Sequence, residues 1–234
     1  MVTARETGCL CQPINQSQGA RNLRERLPLC KWRQCAYPDS ASIDPEAHPG
    51  QSQAVDSADI EQLNAAIRDV PDFPKEGIVF KDITPVLGDP MLFRLAIDGL
   101  IEAIGSQRVD KIVGIDARGF IFGAAVADRI GAGLVPIRKK GKLPWRTREM
   151  SYALEYGEAT VQIHEDAIRE GENILLVDDL LATGGTAAAA LHLVKQQGAN
   201  IIGAAFFIEL DFLDGRAALE QAVSGVPITA LLNY

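Results

Sequence analysis

Apolar positions first recur at helical spacing around residue 60, where Ile60, Leu63, Ala66 and Ile67 fall on one face and Asp56 or Ser57 stands ready to cap the turn before them. Pro71 and Pro74 stop that helix, and 77–84 (Gly-Ile-Val-Phe-Lys-Asp-Ile-Thr) reads as a loop with a short extended piece. Asp89 followed by Pro90 predicts the start of a second helix that carries Leu92, Leu95, Ala96, Leu100 and Ile101 inward. From there the period alternates. Short apolar, β-branched runs at 111–115, 134–137, 173–177 and 201–207 predict strands, with helices over about 120–130 and 185–197 between them. Runs of this kind separated by helices are what a parallel sheet covered on both faces requires, so the fold class is α/β.

The rhythm breaks between 139 and 163. A polar, basic stretch there leads into extended runs at 152–156 and 159–163, which predicts a mobile loop followed by a hairpin. It breaks more thoroughly at the start of the chain: residues 1–55 show no sustained period, and 37–53 are rich in Pro, Ser, Gln, Asp and Gly. Such a segment buries too little apolar surface to offset its ordering entropy. The expected organisation is a disordered extension over 1–55 and one catalytic domain over 56–234.

Composition sharpens that division. Residues 1–50 hold 6 Lys+Arg against 5 Asp+Glu, and the remainder holds 17 against 26, within a formal net charge of -8. That balance argues against general nucleic-acid binding, which draws on a clustered excess of cations. Any anion must be captured by a local site. All four cysteines, Cys9, Cys11, Cys30 and Cys35, lie in the extension, and their spacing lacks the paired two-residue pattern of zinc sites. No metal ligands are predicted. No apolar run approaches the roughly 18 residues that would span a bilayer, so no membrane partner and a cytoplasmic location are expected.

The richest chemistry lies in 174–186, Ile-Leu-Leu-Val-Asp-Asp-Leu-Leu-Ala-Thr-Gly-Gly-Thr, which runs from a buried strand through two acids and a Gly-rich turn into a helix. Backbone N–H groups of Ala182, Thr183, Gly184, Gly185 and Thr186, with the two threonine hydroxyls, suit a phosphate dianion at a helix N-terminus. Asp178 and Asp179, leaving the carboxyl end of the strand, suit the vicinal hydroxyls of a sugar. A phosphate beside a diol is ribose 5-phosphate. The turn is not a Walker A loop, because no Gly-Lys-Ser/Thr follows four variable residues after a glycine.

This segment resembles the phosphoribosyl pyrophosphate motif of the type I phosphoribosyltransferase family. Four further segments extend the resemblance over 56–234, and their details are similar to the adenine-using branch of that family. Ile115-Asp-Ala-Arg-Gly-Phe120 looks like the pyrophosphate loop; the resemblance implies a strained or cis peptide between Asp116 and Ala117, with Arg118 forking onto the leaving group. Ile137-Arg-Lys-Lys-Gly-Lys-Leu-Pro144 is similar to the root of a flexible active-site loop. It implies that Lys139 and Lys142 help neutralise pyrophosphate and that Arg138 reaches across a homodimer interface. Val79, Phe80 and Lys81 fall where the family has a small N-terminal hood that stacks an aromatic ring on adenine, although many relatives have arginine at the place of Lys81. Ser151-Tyr-Ala-Leu-Glu-Tyr-Gly157 implies that Glu155 is the catalytic acid/base.

The implied activity is purine salvage: transfer of a phosphoribosyl group to adenine, giving AMP and pyrophosphate, with Mg2+ held mainly through substrate and water. A same-class alternative uses a 6-oxopurine, and another is a DNA-binding regulator that senses phosphoribosyl pyrophosphate. The regulator would carry a helix-turn-helix and a basic face, neither of which the sequence offers. His164 and His192 are expected on helix surfaces without a role.

Overall fold

The structure, a computed structural model, describes residues 54–153 and 158–234. Its first helix, α1 (Ser57–Ala66), opens on a capping box in which the Asp56 carboxylate accepts from Asp59 N–H at 2.9 Å and Asp59 answers from the backbone of Asp56 at 3.1 Å. Two short strands, β1 (Arg68–Pro71) and β2 (Val79–Asp82), pair antiparallel as a separate hairpin. The short extended piece expected within 77–84 is therefore β2, while β1 was hidden by its exposed, charged composition. A one-turn helix, α2 (Thr84–Gly88), precedes α3 (Pro90–Ile104), whose Asp89 cap accepts from Met91 N–H at 2.8 Å and Leu92 N–H at 3.0 Å.

The rest of the domain is built on β3 (Lys111–Ile115), α4 (Gly119–Ile130), β4 (Gly133–Lys139), β5 (Thr147–Ala153), β6 (Glu158–His164), β7 (Asn173–Leu181), α5 (Gly185–Gln196), β8 (Asn200–Glu209), α6 (Gly215–Ala222) and β9 (Ile228–Asn233). Seven of these strands form one sheet in the order β5-β6-β4-β3-β7-β8-β9. β4, β3, β7, β8 and β9 run parallel, and the β5–β6 hairpin joins antiparallel through Arg138 opposite Gln162 and Lys139 opposite Val161.

Alternation along the central strands feeds two cores. Val113, Ile174, Leu176 and Phe206 pack on one face with Leu191, Val194 and Leu219 of α5 and α6. Ile112, Leu175, Val177 and Phe207 pack on the other with Leu63, Leu100, Phe122 and Val126 of α1, α3 and α4. Both faces are covered, as continuous apolar strands demand. Among the described residues no helix is long and apolar enough to cross a membrane. The expected extension over 1–55 lies outside the described residues up to position 53, as does the Glu155 position.

Candidate active site

The carboxyl ends of β3 and β7 are adjacent, and the turns that follow them enclose a cleft of about 310 Å³. Asp116, Ala117 and Arg118 line one side; Asp178, Asp179 and the 182–186 turn line the other. Strand β7 runs further than expected, through Leu181, with Asp178 opposite Phe206 and Leu180 opposite Ile208. The acid pair therefore sits within the last ladder rungs rather than beyond the strand. The sheet extends because Leu180 and Leu181 supply further apolar rungs.

Two glycines make this geometry possible. Gly184 has φ +77°, in the left-handed region, and a Cβ there would lie 2.4 Å from the carbonyl oxygen of Gly215, so the turn packs directly on the start of α6. Gly119 starts α4 beneath the acids, where a Cβ would lie 2.3 Å from Asp178 Oδ1. The peptide between Asp116 and Ala117 is cis.

Charge in the cleft is arranged in pairs. Arg118 Nε donates to Asp179, which is 7% exposed, and Arg138 Nε donates to Asp116 Oδ2 at 2.8 Å. Burial pushes the Asp178 carboxyl well above the ordinary aspartate range, and the charge of Asp179 beside it adds to the effect. The N–H of Asp179, donating to Asp178 Oδ1 at 3.0 Å, and the charge of Arg118 oppose that rise. Thr186 Oγ1 donates to the hydroxyl of Tyr152 on β5 at 2.9 Å, tying the turn to the hairpin that leads to Glu155. Sequence reasoning gave Tyr152 and Gly119 no role, because each acts through a contact distant in the chain.

The remaining candidates stand around the rim. Phe80, half-buried, has the Arg118 guanidinium 5.7 Å from its ring centroid and meets Phe73 edge-on at 5.3 Å, while Val79 beside it is exposed. Lys81 does not line the cleft: its ammonium lies 2.7 Å from Asp69 and 3.9 Å from the centroid of the Tyr234 ring. Arg138 also donates to the carbonyl of Lys142 at 3.1 Å, and Lys139 and Lys142 are exposed beyond it. His192 is exposed on α5 as expected. His164 is instead the last residue of β6, edge-on to Trp145 with its Nε2 buried and unpaired in the structure, because the alternation of 158–164 continues the hairpin through it.

A largely parallel sheet whose central strand ends in an acid pair and a Thr-Gly-Gly-Thr turn, beside an arginine-bearing loop, is the arrangement of a phosphoribosyltransferase of the type I fold. Residues 89–224 match the phosphoribosyl transferase domain family. The adenine phosphoribosyltransferase of Acidothermus cellulolyticus is 59% identical over 167 residues, covering 71% of this chain and 94% of that protein. That of Nitrosococcus oceani is 51% identical over 175 residues, covering 75% of this chain and all (100%) of its own length. The crystal structure of the Rhodothermus marinus adenine phosphoribosyltransferase superposes with a TM-score of 0.72 at 50% identity, over 76% of this chain and 100% of that one. The Saccharomyces cerevisiae enzyme, solved in complex with adenine and an imino-altritol bisphosphate, gives 0.70 at 42% identity, over 76% and 100%. The chain belongs to the adenine phosphoribosyltransferase family.

Proposed function

We propose that this protein transfers the 5-phosphoribosyl group from phosphoribosyl pyrophosphate to adenine, forming AMP and releasing pyrophosphate. The observation that carries the proposal is the meeting of the 182–186 turn, the Asp178/Asp179 pair and Arg118 in one cleft, with the Phe80 ring above Arg118.

In this reading the 5-phosphate sits on the N–H groups and hydroxyls of the turn at the start of α5. The two ribose hydroxyls donate to Asp178 and Asp179, and the pyrophosphate takes Arg118 and, from the neighbouring subunit, Arg138. Both arginines donate to carboxylates, so an incoming anion exchanges one partner for another. That exchange releases Asp179 for the ribose. Adenine is held by stacking on Phe80 and by the main chain of Val79 and Lys81. As the C1′–O bond to pyrophosphate breaks, N9 of adenine bonds to C1′, and Glu155 takes the proton that leaves the ring. Positive charge growing at C1′ faces the acid pair.

Asp116, Asp178 and Asp179 line the cleft as oxygen donors of the kind a hard divalent ion takes, but among the described residues no three acids or histidines cluster closely enough to hold one. The family's magnesium, carried mainly by substrate oxygens and water, would neutralise charge on the departing pyrophosphate. Lys139 and Lys142 face that same anion when the 140–146 segment folds over it, which excludes water from the electrophilic sugar. A cytoplasmic homodimer, with Arg138 serving the neighbouring site, completes the proposal.

Pyrophosphate release from phosphoribosyl pyrophosphate and magnesium, with adenine, guanine, hypoxanthine, xanthine and orotate supplied separately, tests it. Turnover with adenine alone is expected, falling about 10² to 10⁴-fold in Glu155→Ala. Turnover with an oxopurine would overturn the assignment of the hood, and turnover with none would favour a sensor.

A further inference from the structure

Tyr234 stands where the two halves of the site are joined. Its N–H donates to the carbonyl of Glu209 at 3.0 Å, and its carbonyl accepts from Asp211 N–H at 2.9 Å, which fixes it to the end of β8. Glu209 lies opposite Leu181 in the ladder, and Leu210 N–H donates to the Leu181 carbonyl at 2.9 Å, one residue before the 182–186 turn. On its other side the Tyr234 ring lies under the Lys81 ammonium at 3.9 Å, and its hydroxyl donates to Asn64 Oδ1 of α1. Burial pushes that hydroxyl above the ordinary tyrosine range, the charge of Asp69 adding to it, so it remains a donor.

Lys81 follows Phe80 on β2, and its ammonium also pairs at 2.7 Å with Asp69, its partner across the β1–β2 hairpin. A continuous set of contacts therefore runs from the phosphate turn through Leu181, Glu209 and Tyr234 to Lys81 and the Phe80 ring. Among the described residues the β1–β2 hairpin is a sheet of its own, hydrogen-bonded to no strand of the main sheet. Its height above the cleft depends on side-chain contacts of this kind.

We propose that Tyr234 is a positioning residue for the base. It holds β2 at a set height over the phosphate turn through the Lys81 ammonium, so that Phe80 and the main chain of 79–81 meet the purine in register with the sugar. The Lys81 side chain acts as the strut, not as a contact to the ligand. The inference rests on the assignment of Phe80 to the adenine site.

A cation over an aromatic ring at a partly desolvated site corresponds to a factor of roughly three to ten in an equilibrium. Tyr234→Leu and Lys81→Met are each expected to raise KM for adenine by about that factor, with KM for phosphoribosyl pyrophosphate and kcat little changed. The double variant is expected to fall short of the product of the two single effects, because both remove the Lys81–Tyr234 contact, while Lys81→Met also loses the pair with Asp69 and Tyr234→Leu the bond to Asn64. Tyr234→Phe keeps the ring and loses only the bond to Asn64, so its KM for adenine stays near wild type. Thermal midpoints are measured alongside, and Lys81→Met with Tyr234→Phe carries the comparison if Tyr234→Leu does not fold. An unchanged KM for adenine in folded Lys81→Met, or equal rises for both substrates, would overturn the strut. Wild-type turnover with adenine is measured first, and its absence would overturn the assigned reaction and this inference with it.

Discussion

The carboxylate of Asp178 fills the space a side chain on Gly119 would need, since a Cβ there would lie 2.3 Å from Asp178 Oδ1 and 3.3 Å from the carbonyl oxygen of Val177. The backbone of both neighbours is fixed, because Val177 is fully buried in β7 and Asp178 lies in its ladder opposite Phe206. Gly119→Ala must therefore turn the carboxylate away from its position or push α4 off the sheet. Steady-state kinetics should show kcat/KM for phosphoribosyl pyrophosphate reduced on the order of tenfold to a hundredfold, as misplacement of a positioning group by about 1 Å does. Wild-type kinetics in that variant would mean that the Asp178 position does not matter to the sugar.

Asp178 also makes stability depend on pH. Burial and the neighbouring Asp179 raise its folded pKa above the ordinary value of 3.8. Below that value both states hold the proton. As pH rises past it, the unfolded chain releases the proton while the folded carboxyl keeps it, so the unfolded state binds fewer protons and stability falls until the folded group ionises. Asp178→Asn removes that loss and keeps an oxygen to accept from Asp179 N–H. Denaturant melts should find the variant more stable than wild type at pH 7, with the gap closing as pH is lowered toward 4, while turnover declines. Equal stability across this range would place the carboxyl in a better solvated setting.

What could be read in advance depended on how local each feature is. The acid pair and the phosphate turn occupy consecutive residues, so strand, acids, glycines and helix start all appeared in one stretch of sequence. The strand interiors at 112–115 and 174–177 were legible because both faces are buried and every position is apolar. β1 and β9 were not, since Arg68–Pro71 is mostly exposed and Ile228–Asn233 is half-buried at the sheet edge, where composition says little. β5 begins at Thr147, earlier than the apolar run suggested, because Arg148 and Glu149 are strand residues held by the ladder to β6 rather than by burial. The Gly119–Asp178 and Lys81–Tyr234 contacts join residues far apart in the chain, and no local pattern announces them.

The hydrogen bond from Thr186 Oγ1 to the Tyr152 hydroxyl joins the phosphate turn to the β5–β6 hairpin. Tyr152→Phe keeps the ring packed against the α5 core and removes only the acceptor. One such bond contributes about 0.5–1.5 kcal/mol, so KM for phosphoribosyl pyrophosphate should rise roughly two- to tenfold. Measuring KM for each substrate separately checks this, since a rise confined to adenine would detach Tyr152 from the phosphate turn.

The first 53 residues should be dispensable for folding and catalysis. The domain ties down its own start: Val55 N–H donates to Glu102 Oε2 of α3 at 2.8 Å, and Asp56 closes the capping box of α1. Leu63 then anchors α1 in the core at 0% exposure. The match to the Nitrosococcus oceani relative takes in that protein's whole length within 75% of this chain. A variant beginning at Ala54 retains the Glu102 bond and the cap. Its thermal midpoint is expected to lie within about 2 °C of the full chain, with kcat and both KM values unchanged, because stability changes under roughly 0.5 kcal/mol move a domain of this size no further. One starting at Leu63 loses the cap and most of α1, and should melt several degrees lower. A truncation at Ala54 that lost turnover at unchanged thermal midpoint would give the extension a direct part in the reaction.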